Sequence, residues 1–181
     1  MKNRKAFIQN MSLGLISPAI GYFGKFDFSI NPAKEVIVKN ANEGETYYVR
    51  ENTPLTIHLS KNDNIDGISI CSEEILPGNG IPIHKHLYED EIFFFMKGSG
   101  LVIVEKTEYK ISAGSTAYVP KGSWHGIKNT GTDLLIFTFG YSPAGFEDFF
   151  RQIGTPKGAP FKAKTPEESK LIAAKYGMVF K

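Results

Sequence analysis

Four residues of this 181-residue chain have types and spacing suited to metal chemistry: His84, His86, Glu91 and His125. His84 and His86 are two positions apart, and on a strand that spacing puts both imidazoles on one face. By itself such a pair is more often packed or exposed than a ligand pair. Glu91 follows beyond the turn-like Leu87-Tyr88-Glu89-Asp90 and opens a new apolar run, so a returning strand can aim its carboxylate at the same place. His125 arrives after Gly114, Pro120 and Gly122, at the start of another strand-like run. Cys71 is the single cysteine, which excludes an intrachain disulfide and a thiolate cluster, so any metal site here is built from His, Asp or Glu.

The elements that must position these residues are short and β-like. Apolar and β-branched runs fall at 35–39, 46–50, 55–59, 67–76, 91–96, 100–105, 108–111, 115–119, 125–129 and 134–139. Between them lie Gly-, Asn- and Pro-bearing segments such as Pro77-Gly78-Asn79-Gly80 and Lys97-Gly98-Ser99-Gly100, which supply the backbone angles of tight turns. Many short strands at even spacing predict an all-β sandwich or barrel, and connections this short predict antiparallel neighbours. No internal repeat is visible, which predicts one barrel.

The period changes after residue 141. Ser142-Pro143 has the form of an N-cap followed by proline in a first helical turn, and Phe146, Phe149, Phe150 and Ile153 fall on one helical face. Thr165-Pro166-Glu167-Glu168 is a capping box for a second helix, running through Leu171, Ile172 and Tyr176 to Gly177 as its C-cap. Residues 154–164, rich in Gly, Pro and Lys, form a linker in this reading.

Composition bounds the function. Apolar content of 41% and charged content of 22% are those of a globular protein. Net charge is +2, and Lys2, Arg4 and Lys5 crowd the first five positions, so the remainder is close to neutral and nucleic acid is not an expected partner. That basic start, the apolar run Met11-Ser12-Leu13-Gly14-Leu15-Ile16 and the small residues Ser17 and Ala19 predict an export signal over residues 1–20, cleaved after Ala19. Asn3-Arg4-Lys5-Ala6-Phe7-Ile8 resembles a twin-arginine signal, except that Lys5 stands for the second arginine. The expected compartment is therefore the periplasm by export, with the cytoplasm as the alternative if the segment is only an amphipathic N-terminal stretch. The apolar run is too short for a membrane span.

Two stretches carry a family resemblance. Residues 78–98 resemble the first cupin motif, with Gly78, His84, His86, Glu91 and Gly98 in place, and residues 114–129 resemble the second, with Gly114, Pro120, Gly122, His125 and Asn129. The resemblance implies a jelly-roll barrel, an antiparallel double-stranded β-helix, over about 36–141, so that residues 21–141 hold the barrel with its leading strands and 142–181 a tail of two short helices. It implies that His84, His86, Glu91 and His125 hold one divalent metal ion. Three imidazoles and a carboxylate suit Fe, Mn, Co, Ni, Cu or Zn, and an octahedral ion would keep two positions open. Asn129 is equally well explained as a hydrogen-bonding residue of its turn. His58, outside both motifs, is expected to face outward or to cap.

If Glu91 points inward, strand parity turns Phe93 and Phe95 inward as an aromatic wall, with Tyr118, Ile127, Phe137 and Phe139 as further lining candidates. Lys85 and Lys121 are expected to face solvent, and the inward positions show no Lys or Arg, which argues against strongly anionic substrates. The tail around Gly140-Tyr141-Ser142-Pro143-Ala144-Gly145-Phe146 is similar to that of cupins grouped with quercetin dioxygenase. This likeness implies a dioxygenase acting on a small aromatic or enol compound, with Glu91 as ligand and candidate base. The alternatives are a metal-dependent isomerase, lyase or hydrolase, and a non-catalytic module that binds a small molecule. The family's habit of pairing implies a homodimer, with the runs at 35–39 and 46–50 as its expected contact.

Overall fold

The computed structural model describes residues 35–40 and 42–181. The expected export segment lies outside the described residues. Ten strands follow in quick succession: β1 (Glu45–Arg50), β2 (Thr53–Leu59), β3 (Ser69–Ile75), β4 (Gly80–His86), β5 (Asp90–Lys97), β6 (Ser99–Val104), β7 (Thr107–Ser112), β8 (Thr116–Val119), β9 (His125–Asn129) and β10 (Leu135–Ser142). The tail adds α1 (Asp148–Ile153), β11 (Thr155–Pro156), α2 (Pro166–Lys175) and β12 (Met178–Phe180). The strands form two sheets, ordered β11-β1-β2-β3-β10-β5-β8 and β12-β4-β9-β6-β7. Each of their pairings is antiparallel, as the short turns require. This is the double-stranded β-helix expected from the sequence.

Side-chain parity puts the core between the sheets. On β5, Glu91, Phe93 and Phe95 are buried while Ile92, Phe94 and Met96 are exposed. On β10, Leu135, Phe137, Phe139 and Tyr141 are buried. The register sets Phe95 opposite Phe137, Phe93 opposite Phe139 and Glu91 opposite Tyr141. Ring centroids of Phe95 and Phe137 lie 5.6 Å apart, and those of Phe93 and Phe139 lie 6.3 Å apart. Each such ring contributes roughly 1.5–3 kcal/mol by burial, and the pairings add further specificity.

Several sequence expectations are corrected. Residues 35–40 form no strand, and the apolar side chains Val36 and Val38 are exposed instead of packing into a sheet. The outer edge of β1 is taken by β11 at Tyr47 and Tyr48, so the expected linker contributes a strand and that edge is already paired. Helix α1 starts five residues after Pro143. Ser142 closes β10 with its hydroxyl donating to the Gly67 carbonyl at 2.9 Å, the Ser142-Pro143 bond is cis, and the Ala144 amide donates to the Asp66 carbonyl at 2.9 Å. The tail is not helical throughout. α2 is capped by Thr165 and Glu168 as predicted, but beyond Gly177 the chain re-enters the sheet as β12, pairing Met178 with His86 and Phe180 with His84.

Gly98 turns β5 into β6 at φ +83°, and a Cβ there would lie 2.5 Å from the Leu134 carbonyl oxygen. Gly114 also has positive φ but faces no atom within 4 Å. Gly98→Ala is therefore expected to destabilise by about 2 kcal/mol or more, and Gly114→Ala by about 1 kcal/mol, in urea unfolding. Equal losses would show that close approach of the backbone at Gly98 contributes nothing.

Candidate metal centre

His84 and His86 reach the barrel interior from one face of β4, Glu91 enters from β5, and His125 opens β9 directly opposite His84 in the β4/β9 register. All four side chains are buried, and their donor atoms lie within 4.8 Å of one another. His84 Nε2 is 3.2 Å from His86 Nε2, and Glu91 Oε2 is 2.8 Å from His125 Nε2 and 3.4 Å from His86 Nε2. The four residues singled out by their spacing are thus brought together at one point.

The backbone fixes the tautomers of two of these rings. The Nδ1 atoms of His84 and His125 lie 2.8 Å and 3.0 Å from the carbonyl oxygens of Pro82 and Ser123, so Nδ1–H donates and Nε2 is turned toward the cluster. Burial, with His125 nearby, drives the His84 pKa down to about 3, which keeps the ring neutral with its lone pair free. Burial would lower the pKa of His125, but the hydrogen bond to Glu91 and that residue's charge outweigh it and hold the value above the ordinary 6.5. Burial would likewise raise the Glu91 carboxyl, yet hydrogen bonds from His125 and His86 hold it well below the usual carboxylate range. Converging imidazole nitrogens beside an ionised carboxylate need positive charge among them, which a divalent cation held there would supply. The donor set fits the borderline metals named above.

His86 differs from the other two rings. Its Nδ1 has no hydrogen-bond partner, and 4.0 Å away lies Glu89 Oε2, a second buried polar atom without one. Glu89 sits in the turn between β4 and β5, where sequence periodicity gives no sign of an inward side chain. Tyr141 also escaped the sequence reading. Its ring centroid lies 5.0 Å from that of His86, and burial, with Glu91 beside it, pushes its hydroxyl pKa well above the ordinary 10, so the group stays protonated.

The cluster opens onto a cavity of about 530 Å³, of whose lining His84, Glu91 and Tyr141 form part. Phe93 and Phe137 line it with Phe139, while Phe95 is buried in the core beneath. α1 contributes Phe149, Phe150 and Ile153, and β12 contributes Met178 and Phe180. Tyr118 is no part of this wall. It stands opposite Ile92, on the outer parity of β8, is 60% exposed and donates to Asp90 at 2.9 Å. Ile127 is buried without lining the cavity. The expectation of a lining without Lys or Arg is also overturned, since Arg50, Lys164, Lys170 and Lys181 border the cavity. They come from a strand end and from the tail, which inward parity of the barrel strands does not sample. Lys121 is exposed, and Lys85 packs its ammonium 4.7 Å from the Trp124 ring centroid. His58 is half-buried and lies 2.8 Å from Ser72 Oγ. Asn129 is fully buried and structural, donating to the carbonyls of Ile75 and Asp133.

Residues 72–140 match the family described as Cupin domain. The matched stretch holds the strands that carry all four donors. Over 61 residues the chain is 37% identical to an oxalate-binding protein of Thermotoga maritima, covering 34% of this chain and 50% of that protein. Over 74 residues it is 32% identical to the dimethylsulfoniopropionate lyase DddW of Ruegeria pomeroyi, covering 41% of this chain and 47% of that protein. The chain thus spans about half the length of these curated relatives. An RmlC-like cupin from Shewanella frigidimarina superposes with a TM-score of 0.53 at 17% identity, over 64% of this chain and 96% of that one, a likeness of fold. No helix among the described residues is long and apolar enough to cross a membrane.

Removing Glu89 should loosen the orientation of His86 in this cluster. Glu89→Ala is expected to weaken divalent-metal affinity by about tenfold in calorimetric titration, and unchanged affinity would deny Glu89 any part in holding the ring. Metal affinity should also fall as pH drops, because a proton competes at His125. With that pKa held above 6.5, the fall begins at a higher pH than an isolated imidazole would give.

Proposed function

We propose that the chain is a mononuclear divalent-metal enzyme acting on a small organic substrate seated between His84, His86, Glu91 and His125 and the aromatic wall. The observation that carries this reading is that the cluster opens onto a cavity of about 530 Å³. A purely structural ion needs no such access. When bound, the ion would supply Lewis acidity and, if redox-active, a route to dioxygen.

The residues of the chain set the remaining requirements. Phe93, Phe137 and Phe139 offer flat apolar faces for a planar substrate and displace water from it. Glu91, ionised, is the acceptor for a substrate proton, and Tyr141, protonated beside it, is a donor in reach of the same substrate. The aromatic wall favours the dioxygenase reading, with an aromatic or enol substrate. The pairing of Glu91 with Tyr141 favours a second reading, proton transfer with elimination or isomerisation and no use of dioxygen. The lyase named above is a relative of that chemical kind.

Oxygen uptake by the metal-loaded protein on a panel of flavonols and enols separates the two. Uptake that disappears on chelation and in His84→Ala supports the dioxygenase, whereas anaerobic turnover supports the second reading. Tyr141→Phe is expected to lower kcat by about a hundredfold in the second case, with metal content unchanged. A protein that takes up no divalent metal in either form would overturn both.

A further inference from the structure

The lining of the cavity is polarised. Its inner part is aromatic, with Phe93, Phe137 and Phe139 between the sheets. Its bordering charges are four basic side chains, Arg50, Lys164, Lys170 and Lys181, against two carboxylates, Glu73 and Glu91. Both carboxylates are already matched, Glu73 by its ion pair with Arg50 and Glu91 by the histidines. The Lys181 ammonium is 5.9 Å from the Trp124 ring centroid, and Lys164 attracts the exposed Glu168 at the start of α2. Lys170 has no such counterpart on the lining. Arg50 spends one nitrogen on Glu73, while its Nε is buried with no hydrogen-bond partner, a donor left for a ligand oxygen. A divalent ion at the histidine cluster would add to this positive excess.

We infer that the ligand of this cavity is an anion with an apolar body, a carboxylate on an aromatic or short aliphatic frame, its charge met by Arg50 and the lysines of the lining. The frame lies on the aromatic wall, and the carboxylate takes the donors that the protein leaves unmatched. At Arg50, whose side chain is largely withdrawn from water, such a charge-assisted contact is stronger than at a surface, while the lysines add screened attraction from the rim. This inference deepens the proposed function and rests on reading the cavity as the substrate site.

Isothermal titration with a matched pair, phenylbutyrate and phenylbutyramide, tests it on the full chain with and without divalent metal. The acid is expected to bind the metal-free protein about tenfold more tightly than the amide. The preference should shrink to about threefold or less in Lys164→Gln/Lys170→Gln, whose positions are at the surface, and in Arg50→Met/Glu73→Met, which removes the ion pair whole. Equal affinity for the two probes, binding of neither, or a preference that both variants retain would overturn the inference. So would a preference seen only in the metal-loaded protein, because the ion itself would then be the anion receptor, and the enzyme reading would survive. Failure to bind metal together with a retained preference for the acid would sink the enzyme reading and leave the anion site standing.

Discussion

The convergence of His84, His86 and His125 on one ionised carboxylate inside an apolar barrel is the constraint on which the rest of this molecule turns. Imidazole nitrogens 3.2 Å apart repel unless a proton or a cation lies among them, and a buried carboxylate needs compensating charge. The protein holds this arrangement because the donors come from rigid, paired strands. β4 is fixed on one side by β9 and on the other by β12, and Glu91 stands on β5 between β8 and β10. Carbonyls of Pro82 and Ser123 then fix two of the rings, so little freedom is left to relieve the repulsion by turning away.

The same strands that carry the donors carry the aromatic core. On β5 a single parity delivers Glu91 to the cluster and Phe93 and Phe95 to the interior, and β10 answers with Tyr141, Phe139 and Phe137 in register. A one-residue slip between these strands would turn Glu91 outward and Ile92 inward. Packing energy spread over several rings therefore enforces the position of one carboxylate. The polar site depends on the apolar pattern next to it, and the low pKa of Glu91 is a consequence of that placement.

How much of this was legible in the sequence depends on the range over which each feature is encoded. His84 and His86 were legible because a spacing of two on a strand is a local rule, and Glu91 because it opens an alternating run. Their meeting with His125, a long way along the chain, came through the family resemblance and not through periodicity. Tyr141 was within reach, being two residues beyond Phe139 on the same strand parity. Tyr118 was misplaced because β8 is only four residues long and either parity suits its pattern. Glu89 was hidden in a turn, where no period operates. β12 was hidden for another reason: three residues carry no readable alternation, and the partner strand β4 lies about ninety residues earlier. The helix expected at Pro143 starts later because Ser142 and Ala144 are engaged with the segment at Asp66 and Gly67, contacts that no local pattern encodes.

Two of these features, β12 and the late start of α1, lie in the tail and give it its role. Glu147, fully buried ahead of α1, accepts the amides of Lys61 at 2.6 Å and Gly145 at 2.8 Å, which anchors the start of the tail to the segment after β2. The far end is anchored by β12 on the strand that carries two of the histidines. Between these anchors, Phe149, Phe150 and Ile153 become one wall of the cavity, while Lys164 and Lys170 become part of its border. The barrel alone would present the cluster at an open mouth; with the tail it presents a chamber of limited volume and defined charge. The barrel therefore sets where an ion can sit, and the tail supplies one wall and much of the bordering charge of the cavity beside it. Sequence patterns of the barrel report the first, and the second emerges only when both anchors are in place.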